Sequence, residues 1–215
     1  MTTQNRIINP APPNLPLGTD QYERRYQDQF TNVLRLYFNQ LQNALTEITG
    51  NAGGRYLAFP YGAFSDFADQ TATVNTATLM TLDTTDFSNG VSVVANSKIT
   101  VEYAGIYNLQ FSVQLQNLDN APQDVFIWLK QNDADITGST GLVGLPARKS
   151  AGVPFHDIKG WNYFLNMNAG DHVQIYWSTT NVDVTIQTYP ASGTPTKPST
   201  ASIVATLSFV SALPT

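Results

Sequence analysis

The sequence predicts a mainly β protein: an antiparallel sandwich or jelly roll preceded by an extended arm and one long α-helix. Three observations carry this prediction. Proline recurs near the start, apolar residues then recur every three or four positions, and beyond them apolar and polar residues alternate between turn residues. These changes of pattern divide the chain into a Pro-rich arm over residues 1–18, an amphipathic helix over 19–50 and a jelly-roll β domain over 51–215.

Proline defines the arm. Pro10, Pro12, Pro13 and Pro16 each fix their own φ and disfavour helix in the residue before them, so we expect an extended, polyproline-like segment. The same composition is typical of a disordered tail that becomes ordered only on a partner. The residues leave both interpretations open.

The helix is predicted over residues 20–49. Asp20 and Glu23 suit a capping box at its start, and Gly50 suits a C-cap at its end. The four-three spacing of a coiled-coil seam is kept by Phe30, Leu34, Tyr37, Leu41, Ala44 and Ile48. Further apolar surface comes from Tyr22, Tyr26, Val33, Leu36, Phe38 and Leu45. So much apolar surface must be buried, either in its own domain or, as we favour, against other copies and another protein.

Short antiparallel strands are predicted for the rest of the chain. Alternation is clearest from Tyr107 to Leu115 and from Val173 to Trp177, which indicates one buried and one wet face per strand. The predicted strands are 56–63, 71–82, 91–94, 98–101, 105–116, 125–130, 161–165, 172–179, 183–189 and 202–210. Asn89-Gly90 and Ala169-Gly170-Asp171 suit hairpin turns, and the glycine-rich segment 137–160 is expected to be a surface loop.

Composition excludes several classes of function. Charged residues are only 13% and the net charge is −5, without a run of basic residues, so a nucleic-acid partner is not expected. No apolar run reaches the ~20 residues of a membrane span, and the absence of Cys excludes disulfides and thiolate chemistry. The polar surface, with 25 Thr, 18 Asn, 14 Gln and 13 Ser, suits an extracellular protein, yet the start lacks a secretory signal. A virion component fits both facts, as would a removed signal or a trimmed sequence.

The sequence offers weak candidates for catalysis or metal binding. His156 adjoins Asp157 and His172 adjoins Asp171, but neighbouring strand residues face opposite ways, so no His–Asp dyad is expected. The opening of a calcium loop is matched by Asp133, Asp135, Thr137 and Gly138. Gly144 stands where that loop needs a bidentate Glu, so a polar hairpin is the better interpretation, although calcium stays open. We therefore expect no catalytic residue, no cofactor and no enzyme activity.

Aromatic residues are a further candidate for recognition. The Tyr and Trp residues concerned are Tyr61, Trp128, Trp161, Tyr163, Tyr176, Trp177 and Tyr189. Such side chains bind sugars and proteins well because one part is apolar and another forms hydrogen bonds. Most of these seven lie in predicted strands beside apolar residues, so core or subunit interface is the expected place for most of them.

Several stretches together resemble known proteins. YAGIYNLQFSVQLQ (103–116), VFIWLKQNDADI (125–136) and LNMNAGDHVQIYW (165–177) resemble the middle strands of the jelly roll of tumour necrosis factor and the complement globular heads. Together with AFPYGAFSD (58–66), LDTTDFSNGVSVV (82–94) and YQDQFTNVLRLYFNQL (26–41), they resemble a group of tailed-bacteriophage virion proteins. This resemblance spans residues 15–210 and implies a trimer of jelly rolls located in the virion.

The resulting hypothesis is a non-enzymatic phage structural protein of the capsid cement or decoration type. Its partners would be itself, as a homotrimer, and another virion protein such as the major capsid or neck protein, with neither nucleic acid nor membrane. Docking is assigned to Pro10, Pro12, Pro13 and Leu15, and helix association to Phe30, Leu34, Tyr37 and Leu41. The alternative is a fibre or spike head that binds a host glycan through the 137–160 loop. A secreted cytokine-like or lectin-like module is the third hypothesis, and the place in the virion stays open.

Overall fold

The structure is a computed structural model that describes residues 10–18, 20–49 and 59–213. The chain separates into two compact units, residues 1–58 and residues 59–215.

The first unit contains a 26-residue helix, α1 (Arg24–Thr49). The amide of Gln27 donates to the carbonyl oxygen of Glu23 at 3.2 Å, so Glu23 occupies the N-cap position. The predicted start at Asp20 is therefore wrong by one turn, because Asp20 lies in a bend before the helix. The predicted C-cap, Gly50, lies outside the described residues. Residues 10–18 form neither helix nor strand, and the hydroxyl of Tyr26 donates to the carbonyl oxygen of Pro16 at 3.4 Å.

The second unit is built from strands. They are β1 (Tyr61–Asp66), β2 (Thr78–Leu79), β3 (Thr84–Asn89), β4 (Val91–Val94), β5 (Lys98–Val101), β6 (Gly105–Asn117), β7 (Gln123–Gln131), β8 (Ala134–Asp135), β9 (Gly141–Leu145), β10 (Phe155–Met167), β11 (His172–Thr179), β12 (Val184–Ile186), β13 (Ser192–Gly193), β14 (Thr196–Lys197) and β15 (Ile203–Ser211).

Two antiparallel sheets form a sandwich. The first sheet has the order β10-β6-β15-β1-β3, with β12 also paired to β6. The second has the order β4-β5-β11-β7-β8, with β2 paired to β11 and β9 to β7. The chain passes repeatedly from one sheet to the other, for example from β5 to β6, from β6 to β7 and from β10 to β11. These crossings between two antiparallel sheets are the connectivity of a jelly roll and confirm the predicted fold class.

A single core lies between the sheets. Alternate residues of β6, including Tyr107 and Leu109, point inward from the first sheet, and Val173, Ile175 and Trp177 of β11 meet them from the second. The clean alternation of these two strands therefore identified their buried faces correctly. Trp177 is the largest fully buried side chain in the described part of the core.

The predicted hairpin turns connect different sheets instead. Gly90 lies between β3 and β4, and Gly170 lies between β10 and β11. At each of these glycines the chain leaves the first sheet and enters the second. Their φ values of 65° and 85° confirm that these positions need a left-handed backbone. The β4–β5 hairpin instead turns at Ala95 and Asn96, with φ of 50° and 53°.

Several predicted strands and loops are wrong. The expected loop 137–160 contains β9 and the first residues of β10, because Gly141, Gly144 and Gly160 sit within paired strands, although Gly138 and Gly152 do lie in turns. The expected strand 71–82 reduces to β2, since Asn75 takes a φ of 53° that interrupts an extended chain. Strand β3 was not predicted, because its Thr, Asp, Ser and Asn residues resemble a turn. The predicted 56–63 strand begins outside the described residues, and β1 starts at Tyr61.

Candidate interaction surfaces

The predicted docking residues of the arm lie in the irregular segment 10–18. Pro12 and Leu15 are exposed, whereas Pro10 and Pro13 are half-buried. Leu15 is 46% exposed, and the neighbouring Leu17 is 91% exposed. Two large apolar side chains so close together in an irregular segment are suited to contact with another surface.

The helix residues assigned to association share one face of α1. Phe30, Leu34, Tyr37 and Leu41 fall within about 60° of one another around the helix, at 100° per residue. Each is half-buried. Phe38, 58% exposed, widens the same face. The other side is polar, and there Arg35 donates to the side chain of Asn32 at 2.9 Å. The structure therefore presents these residues as one apolar strip.

A second surface lies on the first sheet, on the side that faces away from the core. We call it the neutral face, because the outward-facing residues of its three adjacent strands include no Asp, Glu, Lys or Arg. It comprises Ile106, Asn108, Gln110, Ser112, Gln114 and Gln116 of β6, His156, Ile158, Gly160, Asn162, Phe164 and Asn166 of β10, and Val204, Thr206 and Ser208 of β15. Burial lowers the pKa of His156, and the charge of Lys149 lowers it further, so both effects favour the uncharged form of His156.

The neutral face combines exposed apolar side chains with a shallow depression. Ile158 and Phe164 are 61% and 60% exposed. The depression is lined by Ser112 and by Gly160, which has no side chain. Its lining also includes Gln110, Asn162, Val204 and Thr206. The amide of Asn108 donates to the side-chain oxygen of Asn162 at 2.6 Å, which fixes two neighbouring strands in register.

The neutral face ends at an unpaired strand edge. β10 is 13 residues long and pairs with β6 along its whole length. It is the outermost strand of its sheet, and no strand of the described chain pairs with its other edge. Proteins usually shield such long edges with proline, charges or a covering segment. β10 contains no proline, and its charges are Asp157 and Lys159, which pair with each other at 2.8 Å.

A third surface is a compact group on the outer side of the second sheet, which we call the aromatic cluster: Trp128 and Lys130 of β7, Asp135 of β8 and Tyr176 of β11. The rings of Trp128 and Tyr176 stack with centroids 5.8 Å apart. The indole Nε1 of Trp128 donates to Oδ1 of Asp135 at 3.0 Å, and Nζ of Lys130 lies 3.4 Å from the same oxygen. Lys130 Nζ also lies 4.7 Å from the centre of the Tyr176 ring.

The candidate calcium residues form the polar hairpin expected as the alternative. Asn132 and Asp133 make the tight β7–β8 turn with φ of 50° and 66°. Asp133 contacts Nζ of Lys98 at 3.2 Å and Nε2 of His172 at 3.5 Å. The hydrogen bond from Lys98 lowers the pKa of Asp133, and His172 adds to the effect. Among the described residues, no group of three His, Asp or Glu side chains could hold a metal ion.

The adjacent His–Asp pairs are not dyads. Nδ1 of His156 lies 2.7 Å from the hydroxyl of Tyr189, while the neighbouring Asp157 pairs with Lys159. Asp171 accepts hydrogen bonds from Asn168, Asn132 and Gln131 and does not contact the ring of His172. His156 therefore has a hydrogen-bond partner on another segment, whereas among the described residues Nε2 of His172 has only the 3.5 Å contact with Asp133.

The seven aromatic candidates divide between core and surface. Trp177 is fully buried, and Trp161 and Tyr163 pack against the core. Tyr61 is 43% exposed, and Trp128, Tyr176 and Tyr189 are partly exposed. The expectation of a core or subunit-interface position is therefore confirmed for these three as core residues, and for the other four an interface position stays a prediction. Sequence reasoning missed that Trp128 and Tyr176 meet, and it missed the neutral face. The alternating uncharged residues of β6 could have indicated part of the neutral face from the sequence. The pairing of β6 with β10 and β15, which completes the face, could not be predicted.

The strand order defines the second unit as an antiparallel jelly-roll domain. No protein-family model and no curated protein sequence matches the chain. Among solved structures, the globular domain of a zebrafish complement 1qA protein aligns with a TM-score of 0.41 and 12% identity, over 72% of this chain and 99% of that domain. Within the described residues, no helix combines the length and apolar character that a membrane span requires.

Proposed function

We propose that this protein is a non-enzymatic structural component of a bacteriophage virion, of the capsid cement or decoration type. Its jelly rolls associate as a homotrimer, and its arm and helix attach the trimer to a capsid or neck protein. The virion assignment derives from the sequence resemblance described above. The observation that carries the association is the neutral face, because depletion of charged residues distinguishes the centre of an interface from ordinary surface.

The neutral face is large enough for a specific contact. A strand of 13 residues at about 3.3 Å each, and three strands at about 4.8 Å, give about 600 Å² in projection. Side chains that project from the sheet add to this flat area, so the surface that can be buried is near the ~800 Å² per partner of a standard interface. The unpaired edge of β10 borders the same face, so one contact buries both features.

Attachment to the particle is assigned to the first unit. Leu15 and Leu17 of the arm and the apolar strip of α1 offer apolar surface that needs a partner. In a trimer three such units act together, so a weak individual contact becomes strong through effective concentration.

Sedimentation velocity of the intact chain tests the trimer. We expect a trimer at micromolar concentration, and a monomer for Phe164→Asp, which puts a charge into the neutral face. Leu142→Asp is the matched control, because Leu142 is 62% exposed on the second sheet. We expect that variant to remain trimeric. A monomeric parent protein, or equal dissociation of both variants, would contradict the assignment.

Deletion of residues 1–50 tests the anchor. We expect the shortened protein to remain trimeric and to lose binding to empty capsids of the parent phage, measured by co-sedimentation. Unchanged incorporation into particles would exclude the arm and helix as the attachment.

A fibre or spike head that binds a host receptor is the second candidate. The aromatic cluster favours it, because this cluster lies on the sheet opposite the neutral face and stays accessible when the neutral face is buried. In that case residues 59–215 alone would bind host cells, measured by flow cytometry with labelled protein, whereas a cement protein would bind capsids.

A further inference from the structure

We propose that the aromatic cluster of Trp128, Lys130, Asp135 and Tyr176 is a binding site for an uncharged glycan, with one hexopyranose ring as the unit recognised. This inference adds a ligand site to the proposed structural role, and it relies on that role only for the accessibility of the second sheet. Four side chains from three strands make the site, and each is held by another member.

The cluster is organised before any ligand arrives. Asp135 Oδ1 receives the Trp128 indole at 3.0 Å and faces Lys130 Nζ at 3.4 Å. Lys130 in turn lies 4.7 Å from the centre of the Tyr176 ring, which stacks on Trp128. A ligand therefore meets side chains that have already lost much of their rotational freedom, which lowers the entropic cost of binding.

Unused hydrogen-bonding groups surround the aromatic pair. In the described part of the chain, Oδ2 of Asp135 and the hydroxyl of Tyr176 have no hydrogen-bond partner. Lys130 Nζ has three donors, of which Asp135 takes one. Asp135 is 67% exposed, so its free oxygen is accessible. An ammonium beside a carboxylate suits a sugar diol, because one hydroxyl can donate to the carboxylate while its neighbour accepts from the ammonium.

The charge at the site selects the ligand class. The charges of Lys130 and Asp135 cancel, and in the adjoining ion pair the charges of Lys98 and Asp133 cancel as well. With no surplus positive charge here and a net charge of −5 on the whole protein, an acidic sugar gains nothing and is repelled at long range. The apolar C–H face of a neutral hexopyranose matches the Trp–Tyr pair, whose amphipathic rings suit such ligands.

Saturation-transfer NMR on the full-length protein tests the site. The probes are the methyl glycosides of glucose, galactose, mannose and N-acetylglucosamine at about 10 mM, which detects dissociation constants in the millimolar range. We expect saturable binding of at least one probe. Asp135→Asn should weaken it about tenfold through loss of charge-assisted hydrogen bonds. Tyr176→Leu should weaken it about three- to tenfold.

Two variants on the first sheet serve as matched controls. Asp157→Asn removes an acid that is likewise paired with a lysine, Lys159, and Tyr61→Leu removes an exposed tyrosine that likewise contacts an aromatic ring, Phe87. Both should bind the probe as the parent protein does. Thermal unfolding checks that all four variants are folded.

Three results would overturn the proposal. One is the absence of saturation transfer to every probe, and another is unchanged binding in folded Asp135→Asn and Tyr176→Leu. The third is loss of particle attachment in these variants without glycoside binding, which would place a protein partner on the cluster. The trimer is tested separately by sedimentation, so failure here leaves that assignment standing.

Discussion

At the scale of single residues, the contact between Gly141 and Trp161 shows how the sandwich is closed at one side. Trp161 projects inward from β10, stacks on Phe111 at 5.9 Å and lies against the backbone of β9. A Cβ atom at Gly141 would overlap its indole ring. Gly141 is therefore required because a strand of one sheet lies directly under a large side chain of the other.

Gly141→Ala should destabilise the domain by about 1–3 kcal/mol, because the Trp161 ring must leave its position. Gly144→Ala is the matched control in the same strand. A Cβ there would lie 3.7 Å from Asp124 Oδ1, at ordinary contact distance, so we expect a change within about 0.5 kcal/mol. Urea unfolding measures both, and equal stability of the two variants would contradict this account.

Asp171 holds the connection between β10 and β11. Burial raises the pKa of its carboxyl, but hydrogen bonds from Asn168, Asn132 and Gln131 outweigh burial, so the pKa lies below its ordinary value. A carboxyl with a lowered pKa in the folded protein contributes stability when the pH is above its ordinary pKa of about 3.9. This contribution is lost as the pH falls through the lower pKa of the folded protein.

Asp171→Asn should therefore lower the free energy of unfolding at pH 7 by about 1 kcal/mol. The difference in this free energy between the parent protein and the variant should become smaller below about pH 4. Asp183→Asn is the control, because the exposed Asp183 carboxylate makes no hydrogen bond to another described residue. Denaturant unfolding at several pH values measures this difference in the free energy of unfolding. A difference that does not change with pH would show that the carboxylate charge is irrelevant.

Residue-level prediction from sequence succeeded where one strand sufficed and failed where two had to meet. Alternation alone placed Leu109 and Trp177 in the core. It could not show that Gly141 faces Trp161 or that Trp128 stacks on Tyr176, because these contacts depend on register between strands distant in sequence. The aromatic cluster was therefore visible only as separate residues.

At the scale of elements, the helix was the easiest feature to predict, because its periodicity is local. Its start was misplaced by one turn, since Asp20 and Glu23 fit a capping pattern that the backbone does not use. Glycine misled the prediction for β9 and β10, because a strand that passes under a bulky side chain requires the same residue that marks a loop.

Leu41→Glu should reduce attachment to empty capsids about tenfold or more, because it places a charge in the apolar strip of α1. Asn39→Glu adds the same charge on the polar side of the helix and should leave attachment unchanged. Co-sedimentation with capsids measures both variants. If Leu41→Glu bound as well as the parent protein, the strip would not be the attachment surface.

At the scale of the whole molecule, its two outer sheet faces have different chemistry. The neutral face lacks charge, whereas the second sheet carries paired lysines and aspartates around its aromatic rings. Composition predicted a surface poor in charge but not its division between the two faces. That division depends on the sheet to which each strand belongs, which the connectivity of the folded chain decides.

In the trimer proposed above, dissociation should be almost insensitive to salt, because the neutral face lacks charge. Between about 50 mM and 1 M NaCl we expect the dissociation constant to change by less than about threefold, since screening acts on charged pairs. Sedimentation equilibrium measures it. Dissociation at high salt would indicate that charged residues outside the neutral face hold the subunits together.

The unpaired edge of β10 has a consequence for the synthesis and assembly of the protein. An unassembled copy offers the free edge of this 13-residue strand, where alternate residues present N–H and C=O groups, to any extended polypeptide it meets, including nascent chains of its own kind. For the trimer proposed above, aggregation can occur in the interval between synthesis and assembly, and this interval shortens as local concentration rises. For the phage protein proposed above, synthesis at high concentration inside one infected cell would limit aggregation without a chaperone devoted to this strand.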